Sequence, residues 1–448
     1  IDRATIAIVE PRLSATAAKA DEWLPAKPGT DGALAVAIAH VLLTEGLWYK
    51  PFVGDFIDGQ NLFVKDQQVD ETLFEEKYTY GLVKWWNLEL NDKTPEWAAE
   101  IIGLPVDQIR RVATEYGKAA PHAISWLGGG PCMQVRGGFA SMAVHALNGL
   151  VGAVDNVGGT LTANKEYTSK FPKPDDFMDE IAKKGKKHGK IDHRGRLHFP
   201  CISSGKPGGG VITNNAAEGI LNEDPNEIKV AIAYMNNFSF SAPQPERWER
   251  ALSKIPFLTH ITTNASEFSW FSDILLPDTH HMFEKWGYVK SHGNGHRHVT
   301  LMQPIIENVW DYKTDETEIP WLIAEKLAEK GFDNLLRHYK TYIDPETGKE
   351  PANEKEFALY ALKYATQQLW DPAQYKGGDK FNGWKALAEK GVWNSEPYPF
   401  KKRWGNMKTK TKQFEFYSET LKEALGKHAE NHTTTIDEVM KATNYLAR

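Results

Sequence analysis

The feature that most constrains this chain is a pair of motifs near its start. Glu10-Pro11-Arg12 closes an apolar run, and Lys27-Pro28-Gly29-Thr30-Asp31 stands at the mouth of an Ala-rich helix. Residues 5–9 (TIAIV) are β-branched and of strand length, so Glu10 falls at a strand's carboxyl end. In an open α/β sheet that edge is where a nucleotide lies. An acidic side chain there accepts from two ribose hydroxyls or from two guanine N–H donors. The second turn presents backbone N–H groups at a helix N-terminus, with Thr30 or Asp31 as N-cap. Either motif alone reads equally as an ordinary βα turn; both in this order point to a large dinucleotide-type cofactor.

Strand and helix patterns alternate beyond that point. Residues 32–45 read as a helix with a wide apolar face closed by Gly46, Thr94-Pro95 as N-cap and first residue of another, and 105–116 as a third ending before Gly117. Residues 122–127 (HAISWL) read as a strand running into Gly128-Gly129-Gly130, with a helix over 137–150. Three glycines at a strand end serve either close backbone approach to a ligand, which puts Gly129 and Gly130 among the cofactor contacts, or a flexible turn. Residues 165–196 carry KKGKK, lack periodicity and read as a solvated surface excursion. Alternation resumes with strands at 229–234, 258–262 and 273–276 and a helix at 245–252. Carboxamides and hydroxyls (Asn236-Asn237, Thr262-Thr263-Asn264) stand at strand ends, where they either cap turns or line a rim for an extended polar ligand. Residues 284–300 gather Glu284, Lys290, His292, His296, Arg297 and His298 among glycines. Their spacing does not suit metal ligation, and they read as an anion-binding, proton-donating loop or a solvated one. Helices at 321–329 and 356–369 read as packing elements, and 412–420 as a strand carrying alternating Phe414 and Phe416.

Composition excludes little but sharpens the reading. Within 448 residues, a formal charge of −6 with 25% charged residues gives no electrostatic case for nucleic acid. The longest apolar run, 33–43, is broken by His40 and is too short to span a bilayer. Cys132 and Cys201 give no CxxC and no zinc or iron–sulfur spacing, so no metal ligand is nominated. Ile1 is not a natural initiator, which suggests that further chain precedes it.

Taken in order, EPR (10–12), ADEWLPAKPGTDGALAVAIAHVLLTEGL (20–47), GGG with HALNGLVGAVDNVGG (145–159), MNNFSFSAP (235–243), SDILLPDTHHMFEKWG (272–287) and KQFEFYSETL resemble one family across the whole chain. It is that of the molybdenum catalytic subunits of the dimethyl sulfoxide reductase superfamily, with wording most similar to respiratory arsenate reductases and then to tetrathionate, thiosulfate and polysulfide reductases. The resemblance implies an α/β fold: two open, mostly parallel-sheet Rossmann-like domains with inserted surface segments, then the start of a C-terminal β-rich domain. The expected boundaries are 1–163 and 211–400 for the cofactor-binding domains, 164–210 for a charged insertion, and 401–448 for that C-terminal start.

It also implies bis(molybdopterin guanine dinucleotide) with molybdenum. Glu10, Pro11 and Arg12 would meet guanosine or pyrophosphate, Lys27, Gly29 and Thr30 the phosphates, and Asp31 the guanine N–H pair. Gly129, Gly130, Asn237, Thr263 and Asp273 would complete the cofactor contacts. Lys290, His292, His296 and Arg297 would funnel a small oxyanion, arsenate first, to the metal. Such subunits carry an iron–sulfur cluster and the molybdenum ligand ahead of this region, so the chain looks like the central part of a longer periplasmic protein with an iron–sulfur electron-transfer partner and no membrane span of its own. The other class to weigh is a metal-free scaffold subunit of a respiratory complex.

Overall fold

The structure is a computed structural model describing residues 4–134, 137–161, 166–194, 202–203, 206–207, 210–279, 284–293, 295–307 and 315–423. Cys201 and most of the polar C-terminal segment lie outside them. The chain divides into two compact units, residues 1–162 with 200–209 and 399–448, and residues 163–199 with 210–398.

The first unit is built around α1 (Asp31–Thr44), in which every residue from Gly32 to Leu43 is buried. Apolar on all sides, it behaves as a core helix rather than a surface helix with one wide apolar face. Around it pack α2 (Pro95–Ile102), α3 (Val106–Lys118) and α4 (Gly137–Leu150). Thr94 caps α2, its hydroxyl accepting from the Trp97 N–H (3.2 Å), as its position before Pro95 predicts. The break in α1's apolar run is structural: His40 Nδ1 bonds Leu90 O (2.7 Å) and its ring stacks on Trp86. Burial pushes the imidazole pKa down, which keeps it neutral in the core.

Strand content is lower than the sequence suggests. β1 (Ala7–Val9) and β2 (Glu22–Leu24) form a two-stranded parallel ribbon. Residues 122–127 form no strand. Ser125 is instead held by Asn148 of α4, whose Oδ1 accepts from Ser125 N (2.9 Å) and whose Nδ2 donates to Ser125 O (2.8 Å). A side-chain amide here replaces the partner strand that the apolar run implied. Residues 401–423, expected to begin a β-rich domain, belong to this unit and contain one two-residue strand, Phe414–Glu415, parallel to Thr79–Tyr80. Phe414 and Phe416 do reach the core, against Phe52 and Trp85.

In the second unit β3 (Val230–Tyr234), β4 (Phe257–Thr262) and β5 (Ile274–Pro277) form a parallel sheet in the order β5-β4-β3. Helix α5 (Pro245–Ser253) makes the β3–β4 crossover. A separate antiparallel sheet joins β6 (Gly287–Gly293), β7 (His296–Met302) and β8 (Val392–Asn394). Its core of Val299, Leu301 and Trp393 packs on residues of α6 (Glu354–Trp370) and α7 (Trp384–Lys390). The segment expected to be a loop over 284–300 is thus mostly a hairpin, and the expected large parallel sheets are small ones.

Candidate cofactor-binding rims

Parallel pairing of β1 with β2 puts the carboxyl ends of both strands on one edge, where Glu10 N donates to Leu24 O (3.2 Å) just before Lys27. The Glu10 carboxylate accepts from Ser14 Oγ (2.8 Å), and the Trp23 indole donates to Glu10 O (2.9 Å), which fixes the turn through exposed Pro11 and Arg12. Thr30 is the N-cap of α1, as one of the two sequence readings had it, but its Oγ1 makes no cap bond and instead donates to Lys27 O (2.6 Å), which tightens its own turn. Gly29 has φ +83°, and the space its missing Cβ would fill lies 3.7 Å from Gln134 Oε1. The loop after the glycine run therefore faces this same edge. At Gly128 and Gly130 a Cβ would meet nothing within 4 Å, while at Gly129 it would press on Met133 Sδ. No internal packing demands the glycines at 128 and 130, which fits backbone left open to a ligand.

Asp31 opens α1 half-buried. Burial pushes its carboxyl above the usual range, and a hydrogen bond from its own backbone N–H pulls it back only in part. Among the described residues no ion pair involves Asp31, Arg12 or Lys27. Among the described residues, one edge thus gathers two cations, Arg12 and Lys27, and two carboxylates, Glu10 and Asp31, that form no ion pair.

The second unit has an equivalent edge at the carboxyl ends of β3, β4 and β5. Asn237 lies there, but its carboxamide is committed to the fold: Nδ2 donates to Glu267 Oε2 (2.6 Å), and Oδ1 accepts from Phe268 N (3.1 Å) and Ser239 Oγ (3.2 Å). Its neighbour Asn236 carries a buried Oδ1 with no hydrogen-bond partner among the described residues. Thr263 is exposed on the same rim. Asp273 is not. It sits at the amino end of β5, where Oδ2 accepts from Leu258 N (2.7 Å) and its own N–H donates to Leu258 O (2.8 Å). Its role is to fasten β5 to β4 at the edge opposite the rim, which removes it from the ligand contacts expected from sequence.

On the hairpin, register pairs His292 with Arg297 and Lys290 with Val299, so Lys290, His292 and Arg297 share one face. Arg297 Nη1 lies 3.4 Å from His292 Nδ1. A carboxylate the sequence did not flag lies among them: Glu166 meets Lys290 Nζ at 3.2 Å and Arg297 Nε at 3.0 Å. Burial pushes Glu166 up, but hydrogen bonds from its own N–H and from Lys290, with the Arg297 charge, outweigh that and hold it below the ordinary range. His296 and His298 are turned to β8, bonding Ser395 O and Asn394 Oδ1 (2.7 Å each). Glu166→Gln should strengthen sulfate or arsenate binding at this face by about two- to fivefold, the range of a partly exposed ion pair. Isothermal titration of the full-length protein reads this, and weaker binding would mean that Glu166 positions the cations instead of competing with the anion.

The molybdopterin oxidoreductase family profile matches residues 1–330. The chain belongs to this family. It is 54% identical, over its whole length, to the arsenate respiratory reductase molybdopterin-containing subunit ArrA of Shewanella sp. (strain ANA-3), and 52% identical to the protein of the same name from Chrysiogenes arsenatis. It spans about half of each, 53% in both cases. The thiosulfate reductase subunit PhsA of Salmonella typhimurium is 25% identical over 72% of this chain and 39% of its own. In fold the chain is similar to acetylene hydratase from Pelobacter acetylenicus, with a TM-score of 0.63 at 19% identity, covering 94% of this chain and 52% of that one.

The first-unit rim suits a molybdopterin-type group. Arg12 and Lys27 offer positive charge to phosphate, the Gly128–Gly130 backbone is open, and the half-buried Asp31 carboxylate needs donors of the kind that a guanine edge presents. Sequence reasoning named Asn236 only as one of the strand-end carboxamides, and it missed Glu166 and the buried cluster in which Lys285 pairs with Asp278 and Glu316. Only Asp278 and Lys285 had a signal, as charged residues inside the SDILLPDTHHMFEKWG block.

Proposed function

We propose that this chain is the central part of a respiratory arsenate reductase catalytic subunit, binding the two guanine dinucleotides of bis(molybdopterin guanine dinucleotide) on its two carboxyl rims. The observation that carries the cofactor reading is the first-unit edge, where Arg12, Lys27 and Asp31 have no ionic partner among the described residues and lie beside open glycine backbone. Lys27 and Arg12 would neutralise diphosphate there, and the backbone of Gly29, Thr30, Gly129 and Gly130 would approach it closely. Asp31 would accept the guanine N1–H and N2–H₂ donors through both oxygens. On the second rim Thr263 and the Asn236 carboxamide would serve the other dinucleotide, with Asn237 holding the loop that carries them. The bound group supplies a two-electron redox centre and Lewis acid.

The chain's own part in the reaction is electrostatic. Lys290, Arg297 and His292 raise the local concentration of an oxyanion, and Glu166 tempers that field. Arsenate is favoured as substrate by the identity to two proteins named for that activity. An iron–sulfur partner subunit and a periplasmic site of action complete the reading; among the described residues no helix is long and apolar enough to cross a membrane.

The test uses the full-length subunit with its electron-transfer partner, assayed with arsenate and tetrathionate as competing acceptors and analysed for molybdenum and tungsten. Arsenate-dependent turnover with bound metal is expected. Turnover with tetrathionate alone would move the substrate to a sulfur oxyanion. Metal-free, inactive protein would favour the scaffold class.

A further inference from the structure

The carboxyl rim of the β3–β4–β5 sheet carries one sequence pattern twice. Phe238-Ser239-Phe240 follows β3, and Phe268-Ser269-Trp270 follows β4. In both, the first ring packs inward, Phe238 on Trp248 (centroids 4.7 Å apart) and Phe268 on His260 (4.9 Å), and the serine is buried. In both, the last ring is left in water: Phe240 is 74% exposed and Trp270 90%. Asn237 ties the two turns together, its Nδ2 donating to Glu267 Oε2 (2.6 Å) and its Oδ1 accepting from Phe268 N (3.1 Å).

An indole nine-tenths in water contributes almost nothing to the fold, although burying it would be among the larger apolar gains available. What stands beside it is a carboxylate. Glu267 and Trp270 are the first and fourth residues of a 3-10 turn (Glu267–Phe271), and side chains three apart eclipse at three residues per turn. The carboxylate and the indole therefore leave the turn on one face, about 6 Å apart along its axis. The Asn237 bond, with one from Glu267's own N–H, holds this exposed carboxyl below the usual range and keeps it ionised at neutral pH. Among the described residues Glu267 forms no ion pair. A planar ring laid on the indole turns its edge to this carboxylate, whose two oxygens together accept from two adjacent N–H donors. Glu267 stands to the second rim as Asp31 stands to the first, since each is the first helical residue after the loop at a strand's carboxyl end.

We propose that Glu267 and Trp270 form the guanine subsite of the second rim, the carboxylate accepting from N1–H and N2–H₂ while the indole stacks on the base. Asn237 is the positioning residue that holds the carboxylate. The proposal rests on the reading of the two rims as dinucleotide edges, and it supplies a base-reading group that the second rim otherwise lacks. Thr263 and Asn236 each offer one uncharged acceptor, whereas guanine presents two donors side by side. Adenine would be refused, because its N1 sets a lone pair against the carboxylate.

Calorimetric titration of the cofactor-free, full-length subunit with GDP tests this, with ADP as the control. Wild type should bind two GDP, one on each rim, and bind ADP about tenfold or more weakly. Glu267→Gln keeps the carbonyl that accepts from Asn237 but sets an NH₂ group against the guanine donors. It should weaken one of the two sites about 10- to 150-fold and leave the other. Trp270→Ala should weaken that same site about 5- to 150-fold, the range of a lost base–aromatic stack, while Trp270→Phe keeps a ring and stays within about threefold of wild type. Both side chains stand in water, so the variants should melt with wild type. Asp31→Asn should weaken the other site alone, and the double variant with Glu267→Gln should lose both. Two undiminished GDP sites in Glu267→Gln or in Trp270→Ala would overturn the subsite and leave the rims intact. A wild-type subunit that binds no GDP would overturn the dinucleotide reading of both rims, and this subsite with it.

Discussion

Asp31→Asn in the full-length subunit is expected to lose most of its pterin dinucleotide and molybdenum while melting within a few degrees of wild type. A carboxylate accepting two donors contributes about 1.5–3 kcal/mol, so the dinucleotide should bind about 10- to 150-fold more weakly once one oxygen becomes an amide. The substitution is isosteric, but its NH₂ group opposes a guanine N–H, donor against donor. For the fold itself, the α1 N-terminus favours the Asp31 charge by on the order of 0.3–1 kcal/mol while burial opposes it, so replacing the carboxylate should change stability little. Guanine released on acid hydrolysis, metal content and melting temperature separate the two effects. Unchanged guanine and molybdenum content would remove Asp31 from the site.

The pH dependence has opposite signs in the free and bound protein. In the free fold burial raises the Asp31 pKa above its unfolded value, so its contribution to stability is full below the unfolded pKa and is lost as pH rises through the folded one. Bound guanine reverses this, because only the ionised carboxylate accepts both donors. Cofactor retention should therefore be full above the raised pKa and decline as pH falls through it, and Asp31→Asn should lack that acid-side decline.

What the sequence revealed and what it hid follow from the range of the interactions involved. Helix α4 falls where its pattern predicted, and Thr94-Pro95 caps α2, because helix periods and caps are written in adjacent residues. The EPR and KPGTD motifs were legible as one edge for the same reason: each lies immediately after a strand, and parallel pairing does the rest. Residues 122–127 misled because an apolar run does not say whether its backbone partner is a strand or the side chain of Asn148. Asp273 misled because a residue beside a strand can serve either end of it, and pairing to Leu258 chose the amino end. Glu166 and Glu316 were out of reach altogether. Each meets its partners across a long stretch of chain, and nothing in their own neighbourhoods marks them.

Gly159→Ala should destabilise the first unit strongly for a change of one methyl group, and the reason lies in the VGAVDNVGG turn. A Cβ at Gly159 would stand 1.9 Å from Ala153 O, a backbone atom that no rotamer change can move and that already accepts from Thr160 N (3.0 Å). Opening that turn loosens the neighbours that hold the returning chain: Asp155 O accepts from Lys401 N (2.7 Å), Asp155 Oδ2 from Arg403 N (2.7 Å), and Val154 O from the Trp404 indole (2.8 Å). Trp404 in turn packs on Phe52 and Tyr78. A cost of about 3 kcal/mol is expected, at the upper end for overpacking, or a fall in melting temperature of about 6–12 °C for a unit of this size. Gly138→Ala is the matched comparison, since its Cβ would meet nothing within 4 Å in the first turn of α4. There the loss of glycine's unfolded-state freedom should stabilise by about 0.4–1 kcal/mol. Thermal melts of both variants should move in opposite directions, with faster amide exchange over residues 401–404 in Gly159→Ala alone. Equal melting temperatures would show that the turn relaxes without releasing the returning chain.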